Sequence, residues 1–137
     1  MSSSFPEPSC WLAHRVSYGE TDAMGVVYYA NYLHLFERGR SELIRGLGFS
    51  YAIVEERGIF LPVREATCRY LAPARYDDIV HIRTGLSTRS RASLSFAYEI
   101  MNEDQTVVLT RGTTQHAAVN AQGKPVRVPD WLSALFG

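Results

Sequence analysis

Two periodicities divide the chain. From residue 92 to 102, Leu94, Phe96, Tyr98 and Ile100 alternate with Ser93, Ser95, Ala97 and Glu99, the period-two pattern of a strand with one buried face. Residues 79–90 repeat it, with Val80, Ile82, Thr84 and Leu86 set against His81, Arg83 and Gly85. Residues 106–120 are rich in Val and Thr, which predicts another strand, and residues 73–78, 102–105 and 120–123 carry the polar and Gly or Pro residues of turns. Residues 59–71 are strand-like, and Pro62 marks them as a sheet edge or a bulged start. A less regular strand is expected over 11–18, with Trp11, Ala13 and Arg15 on one face and Leu12, His14 and Val16 on the other. A short closing helix is expected from Pro129-Asp130-Trp131.

The helical period appears once at length. From Tyr29 or Asn31 to Leu47 the apolar residues Leu33, Phe36, Leu43, Ile44 and Leu47 form one stripe, while Glu37, Arg38, Arg40, Glu42 and Arg45 fall largely elsewhere. The Arg38 and Arg40 pair is expected on a solvated or ion-paired face, with Glu37 as a partner for a basic residue. Asn31 is the expected cap and Gly48 the expected stop. Gly39 lies on the apolar stripe, where it costs about 1 kcal/mol of helix propensity relative to alanine, and close approach of helix to sheet is the compensation expected. Residues 50–57 predict a second, short helix ending at Gly58. Only the long helix can cover an antiparallel sheet of this extent, so the pattern predicts an α+β fold with the sheet wrapped around one helix.

Composition then narrows the function classes. At 137 residues the chain fits one domain, expected over 10–137 after a loose Ser- and Pro-containing leader at 1–9. Lys plus Arg and Asp plus Glu each total 14, and no basic block suggests nucleic acid as a partner. No apolar run approaches the roughly 20 residues that span a bilayer, and the N-terminus has no export-signal pattern, so membrane insertion is not expected and a cytoplasmic location is. Cys10 and Cys68 lie far apart, without metal-ligand spacing, and read as reduced thiols. The four histidines are scattered, read as surface or strand residues, and offer no convincing pairing with a carboxylate; no metal or other cofactor is expected.

The candidate chemistry sits where the loop of residues 19–27 meets the long helix. Thr21-Asp22 can bond local backbone, Gly25 can adopt a positive φ, and the amides of a helix start attract an electron-rich oxygen. Asp22 can serve either as an Asx-turn residue or as a reactive carboxylate beside such amides. The tyrosines Tyr28, Tyr29 and Tyr32 can line a pocket or pack at a subunit seam.

The stretch Tyr18-Gly-Glu-Thr-Asp22-Ala-Met-Gly25-Val-Val27-Tyr28-Tyr29-Ala-Asn31-Tyr32, followed by Phe36-Glu37-Arg38-Gly39-Arg40-Ser41-Glu42, resembles the signature of hotdog-fold acyl-CoA thioesterases of the 4-hydroxybenzoyl-CoA and Tol-Pal-associated types. Tyr70-Leu-Ala-Pro73-Ala74-Arg75-Tyr76-Asp77-Asp78 is similar to their second motif. The resemblance implies a five- or six-stranded antiparallel sheet around a central helix, homodimers that often pair into homotetramers, and active sites at the dimer interface. It implies that Asp22 is the catalytic aspartate, as nucleophile or general base, and that backbone amides near Tyr28 and Tyr29 hold the thioester carbonyl. Gly25, Val27, Tyr28 and Tyr32 then fall to the acyl pocket. Coenzyme A phosphates need basic donors, for which Arg75, Arg89 and Arg91 are candidates. Tyr29 replaces a histidine common in relatives, and Gly39 the usual alanine, so no histidine mechanism carries over. The expected function is hydrolysis of a short-chain or aromatic acyl-CoA. The alternatives are an acyl-carrier-protein thioesterase and a non-catalytic acyl-binding module.

Overall fold

The computed structural model describes residues 5–137 and contains five strands, β1 (Ser9–Arg15), β2 (Val63–Tyr70), β3 (Ile79–Arg89), β4 (Ser93–Met101) and β5 (Val108–Ala117). Three α-helices accompany them, α1 (Asn31–Gly46), α2 (Tyr51–Glu56) and α3 (Asp130–Ser133). The strands form one antiparallel sheet in the order β1-β3-β4-β5-β2. β2 is therefore an edge strand, bulged between Val63 and Glu65, as Pro62 anticipated. Residues 1–4 of the expected leader lie outside the described residues, but Ser9 already belongs to β1, and Phe5 and Pro6 pack against Gly85 of β3.

The alternation in β4 is realised throughout: Leu94, Phe96, Tyr98 and Ile100 are all buried, and Val80, Ile82, Thr84 and Leu86 face the same way from β3. α1 lies on this face and buries Tyr32, Leu35, Phe36, Gly39, Leu43 and Ile44. The buried stripe is thus rotated from the predicted one. Leu33 is 44% exposed, because Tyr32 and Leu35 lie closer than Leu33 to the Phe36–Gly39–Leu43 line that meets the sheet.

Two further expectations on α1 are corrected. Its N-cap is Ala30, not Asn31, and the Asn31 side chain instead donates to the Glu20 carbonyl. Arg40 leaves the solvated face and reaches the Tyr98 hydroxyl, while Glu37 is exposed and enters no ion pair among the described residues.

At Gly39 helix and sheet approach closely. A methyl there would stand 2.2 Å from Thr84 Oγ1 and 3.1 Å from Ile82 Cγ2. Thr84 is fully buried and its hydroxyl has no hydrogen-bond partner among the described residues, so the space is filled by a branched side chain rather than by a helical Cβ. Gly39→Ala is expected to gain helix propensity but lose more to overpacking, a net destabilisation of about 1–2 kcal/mol. Gly39→Ala combined with Thr84→Ala should recover most of that loss. Urea unfolding of the two single variants and the double variant checks the coupling; additive effects would show that Thr84 is not what excludes a side chain at position 39.

Candidate active site

The loop between β1 and α1 is built by short-range bonds. Tyr18–Glu20 form a 3₁₀ turn, the Asp22 amide donates to Val26 O at 2.9 Å, and Gly25, at φ +78, returns its amide to Asp22 O at 3.0 Å. The loop is clipped to the 73–78 turn by Val27 N–H to Ala74 O (2.8 Å) and Tyr76 N–H to Gly25 O (3.0 Å). The Asp22 carboxylate closes an Asx turn, with Oδ1 accepting the Met24 amide at 2.8 Å. Both readings of Asp22 are compatible in this geometry: one oxygen fixes the side chain, and the other has no partner among the described residues.

The helix-start amides are not equivalent. The Tyr28 amide donates to Glu20 O at 2.9 Å, so it is already committed, whereas the Tyr29 amide has no acceptor among the described residues. The expectation of a donor near Tyr28 or Tyr29 thus narrows to Tyr29. Asp22 and Tyr29 line one cleft of about 350 Å³, whose remaining wall includes Val26, Val27, Tyr32 and Leu71. Tyr28 lies outside that lining, tilted against the Tyr29 ring at 4.5 Å, and Gly25 shapes the turn rather than the wall. Tyr32 is buried and forms the floor.

Tyr70 was not assigned a role by sequence reasoning, although it opens the second motif. Its hydroxyl donates to Tyr29 O at 2.9 Å, and its ring meets Tyr32 edge-on at 5.2 Å. Partial burial, then the neighbouring Cys68 side chain, pushes the Tyr70 phenol up to about 12, so it remains a protonated donor at neutral pH. An aromatic side chain at the end of an edge strand was the available signal.

The three candidate arginines separate. Arg75 is exposed on the segment that bridges Val26, next to the Asp22 loop. Arg89 and Arg91 lie at the other end of β3 from that loop; Arg91 is exposed, but Arg89 donates to the carbonyls of Ser133 and Gly137 and ties down the C-terminus. A histidine–carboxylate pair, unexpected from sequence, joins His14 Nε2 to Glu20 Oε1 at 2.8 Å. It stands behind the loop rather than in the cleft lining. A larger cavity of about 550 Å³ opens on the opposite face of the sheet, between Arg83, Glu99 and Arg111, away from Asp22. No described helix is long and apolar enough to cross a membrane.

Known proteins resemble this chain in sequence and fold. Residues 16–136 match the model of the thioesterase-like superfamily. The acyl-CoA thioester hydrolase YbgC of Escherichia coli O157:H7 is 43% identical over 123 residues, covering 89% of this chain and 91% of that protein. The acyl-CoA thioesterase YbgC of Haemophilus influenzae is 36% identical over 124 residues, covering 89% and 90%. Among solved structures, a DHNA-CoA thioesterase from Staphylococcus aureus superposes with a TM-score of 0.86 at 35% identity, covering 92% of this chain and 87% of that one. A 4-hydroxybenzoyl-CoA thioesterase matches in fold, with a TM-score of 0.85 at 20% identity over 94% of this chain and 99% of that one. The chain belongs to the thioesterase-like superfamily, the hotdog-fold family of thioester hydrolases.

Proposed function

We propose that this protein hydrolyses the thioester of a short-chain or aromatic acyl-CoA, with Asp22 as the reactive carboxylate and the Tyr29 amide as the donor to the carbonyl oxygen. One observation carries the reading: an aspartate with one carboxylate oxygen and a backbone amide that both lack partners among the described residues line the same largely apolar cleft. A thioester carbonyl bound to the Tyr29 N–H is polarised toward carbon. Asp22 then either attacks that carbon, expelling the thiolate and leaving an anhydride that water hydrolyses, or removes a proton from an attacking water. In both routes negative charge grows on the carbonyl oxygen, where a fixed amide stabilises it more than it stabilises the ground state.

The working unit in this reading is a homodimer, and two dimers form the tetramer. Tyr29, Leu33, Tyr70 and Leu71 are each 44–61% exposed around the cleft, beside the open edge of β2, a surface suited to cover by a second copy. In this reading the coenzyme A phosphates fall to Arg75, beside the Asp22 loop, and to Arg91 of a second copy, while Arg89 braces the C-terminal segment through the Ser133 and Gly137 carbonyls. The cytoplasm, where acyl-CoA is made and thiols stay reduced, suits both the substrate and the two free cysteines.

Steady-state assays on benzoyl-type and short aliphatic acyl-CoAs, run beside the same acyl groups on acyl carrier protein, test the proposal. Turnover of the CoA thioesters with kcat/KM at least tenfold above the carrier-protein forms is expected. The reverse order would move the assignment to the carrier protein, and tight binding without turnover across the panel would make the fold a non-catalytic acyl-binding module.

A further inference from the structure

His14 is the only histidine that bonds to a carboxylate among the described residues, and the carboxylate belongs to the loop that carries Asp22. It projects from β1 toward α1, half-buried, with a partner on each ring nitrogen. On one side Arg38 of α1 donates through NH1 to Nδ1. An arginine can only donate, so Nδ1 presents its lone pair and the ring proton resides on Nε2. On the other side Nε2–H donates to Glu20 Oε1 at 2.8 Å, an oxygen that also accepts the Ser17 amide at 2.8 Å.

Glu20 is the joint between the two halves of the site. Two residues before Asp22, it gives its side chain to His14 and Ser17, while its main-chain carbonyl accepts Tyr28 N–H at 2.9 Å and Asn31 Nδ2 at 2.8 Å. Glu20 thereby fastens the segment bearing the carboxylate to the segment bearing the Tyr29 amide, and it alone of the described loop residues also bonds to β1 through His14. Thr21 adds a bridge to Val27 and a hydroxyl bond to Tyr18 O.

We propose that His14 is a positioning residue for the reaction: held between Arg38 and Glu20, it fixes the Glu20 joint and hence the placement of Asp22 relative to the Tyr29 amide. The inference rests on the assignment of Asp22 and Tyr29 above. His14 lines no part of the cleft and touches no reacting atom, so its effect is transmitted through Glu20.

Two substitutions separate the bridging bonds from mere filling of space. Leucine at 14 keeps bulk and removes both bonds, whereas glutamine can accept from Arg38 and donate to Glu20. In His14→Leu, kcat is expected to fall about tenfold, the effect of a small misplacement between reacting groups, with KM within about twofold. His14→Gln is expected to stay within about threefold of the unsubstituted protein. Amide hydrogen exchange supplies a readout independent of turnover: Tyr28 N–H should exchange at least tenfold faster in His14→Leu and near the original rate in His14→Gln, with the α1 amides unchanged in both. Unchanged kcat and unchanged Tyr28 exchange in His14→Leu would overturn the proposal, as would equal losses in the two variants. If His14→Leu does not fold, Arg38→Met removes the Nδ1 donor from an accessible helix position, and the same exchange measurement decides. Should Asp22→Asn retain full activity while Tyr28 exchange responds as expected, the assignment of Asp22 fails but the His14 joint stands.

Discussion

Asp22→Asn is expected to lower kcat on the best acyl-CoA substrate by about three orders of magnitude, equivalent to about 4 kcal/mol of transition-state stabilisation, with KM changed by less than about threefold. The substitution is close to isosteric, and asparagine Oδ1 can still accept the Met24 amide that Asp22 Oδ1 accepts at 2.8 Å. The Asx turn, the Gly25 reversal and the clip to Ala74 therefore persist, and the melting temperature should move by no more than a degree or two. What is lost is the second carboxylate oxygen and its charge. An amide oxygen neither attacks a thioester carbon at a useful rate nor takes a proton from water at neutral pH, so both routes fail together. Binding survives because the Tyr29 amide and the apolar wall of Val26, Val27, Tyr32 and Leu71 are unchanged. Steady-state kinetics with a thermal melt on each protein checks the outcome, and hydrolysis undiminished in a folded variant would remove Asp22 from the mechanism.

The parts of this site visible in the amino-acid sequence are those set by local chemistry. The Asp22–Gly25 turn, the glycine at φ +112 that follows α1 at position 48, and the alternation of β3 and β4 each depend on a few neighbouring residues and can be read from them. Asp22 and Gly25 also fall in a motif whose resemblance to known thioesterases supplied the roles. Pairings across the fold carried no such signal. Arg38 and Arg40, two residues apart on α1, looked alike in the helical pattern, yet one meets His14 on β1 and the other Tyr98 on β4. Which carbonyl consumes the Tyr28 amide depends on how the loop folds back, and that choice leaves the Tyr29 amide without an acceptor among the described residues. Tyr70 likewise gains its place from β2 lying at the sheet edge beside the start of α1, a fact of strand order rather than of residue pattern. The apolar stripe on α1 was misplaced for a related reason: Leu33 and Leu35 are equivalent by hydropathy, and only the surface presented by the sheet distinguishes them.

Acidification from pH 7 to pH 5 is expected to cost this protein about 2 kcal/mol of stability through His116 alone, and His116→Gln should abolish that increment. His116 is fully buried on β5, with the Phe96 ring edge-on at 5.4 Å. It belongs to a directional chain of hydrogen bonds. Arg40 NH1 donates to Tyr98 OH at 3.5 Å, and Tyr98 OH donates to Thr114 Oγ1 at 2.6 Å. Thr114 donates to His116 Nε2 at 2.8 Å, and His116 Nδ1–H donates to Leu61 O at 2.9 Å. The bond from Thr114 needs a neutral imidazole with its lone pair on Nε2, and protonation there would set two donors against each other. Burial, reinforced by the Arg40 charge and only partly offset by the Leu61 carbonyl, depresses the imidazole from its ordinary 6.5 to about 4. The unfolded chain therefore takes up this proton at a higher pH than the folded one. His116 leaves stability untouched above pH 6.5, and stability drains away between about 6.5 and 4, to a limit of roughly 3 kcal/mol. The depressed carboxyl of Glu20 also loses stability on acidification, but only below its ordinary 4.5, outside the interval from pH 7 to 5, and the His116→Gln comparison assigns the histidine's share. Glutamine can donate to Leu61 and accept from Thr114 without titrating. Urea unfolding at pH 7 and pH 5 and at one fixed protein concentration decides the matter. A variant that loses as much stability as the parent protein over this interval would place the acid-sensitive group elsewhere.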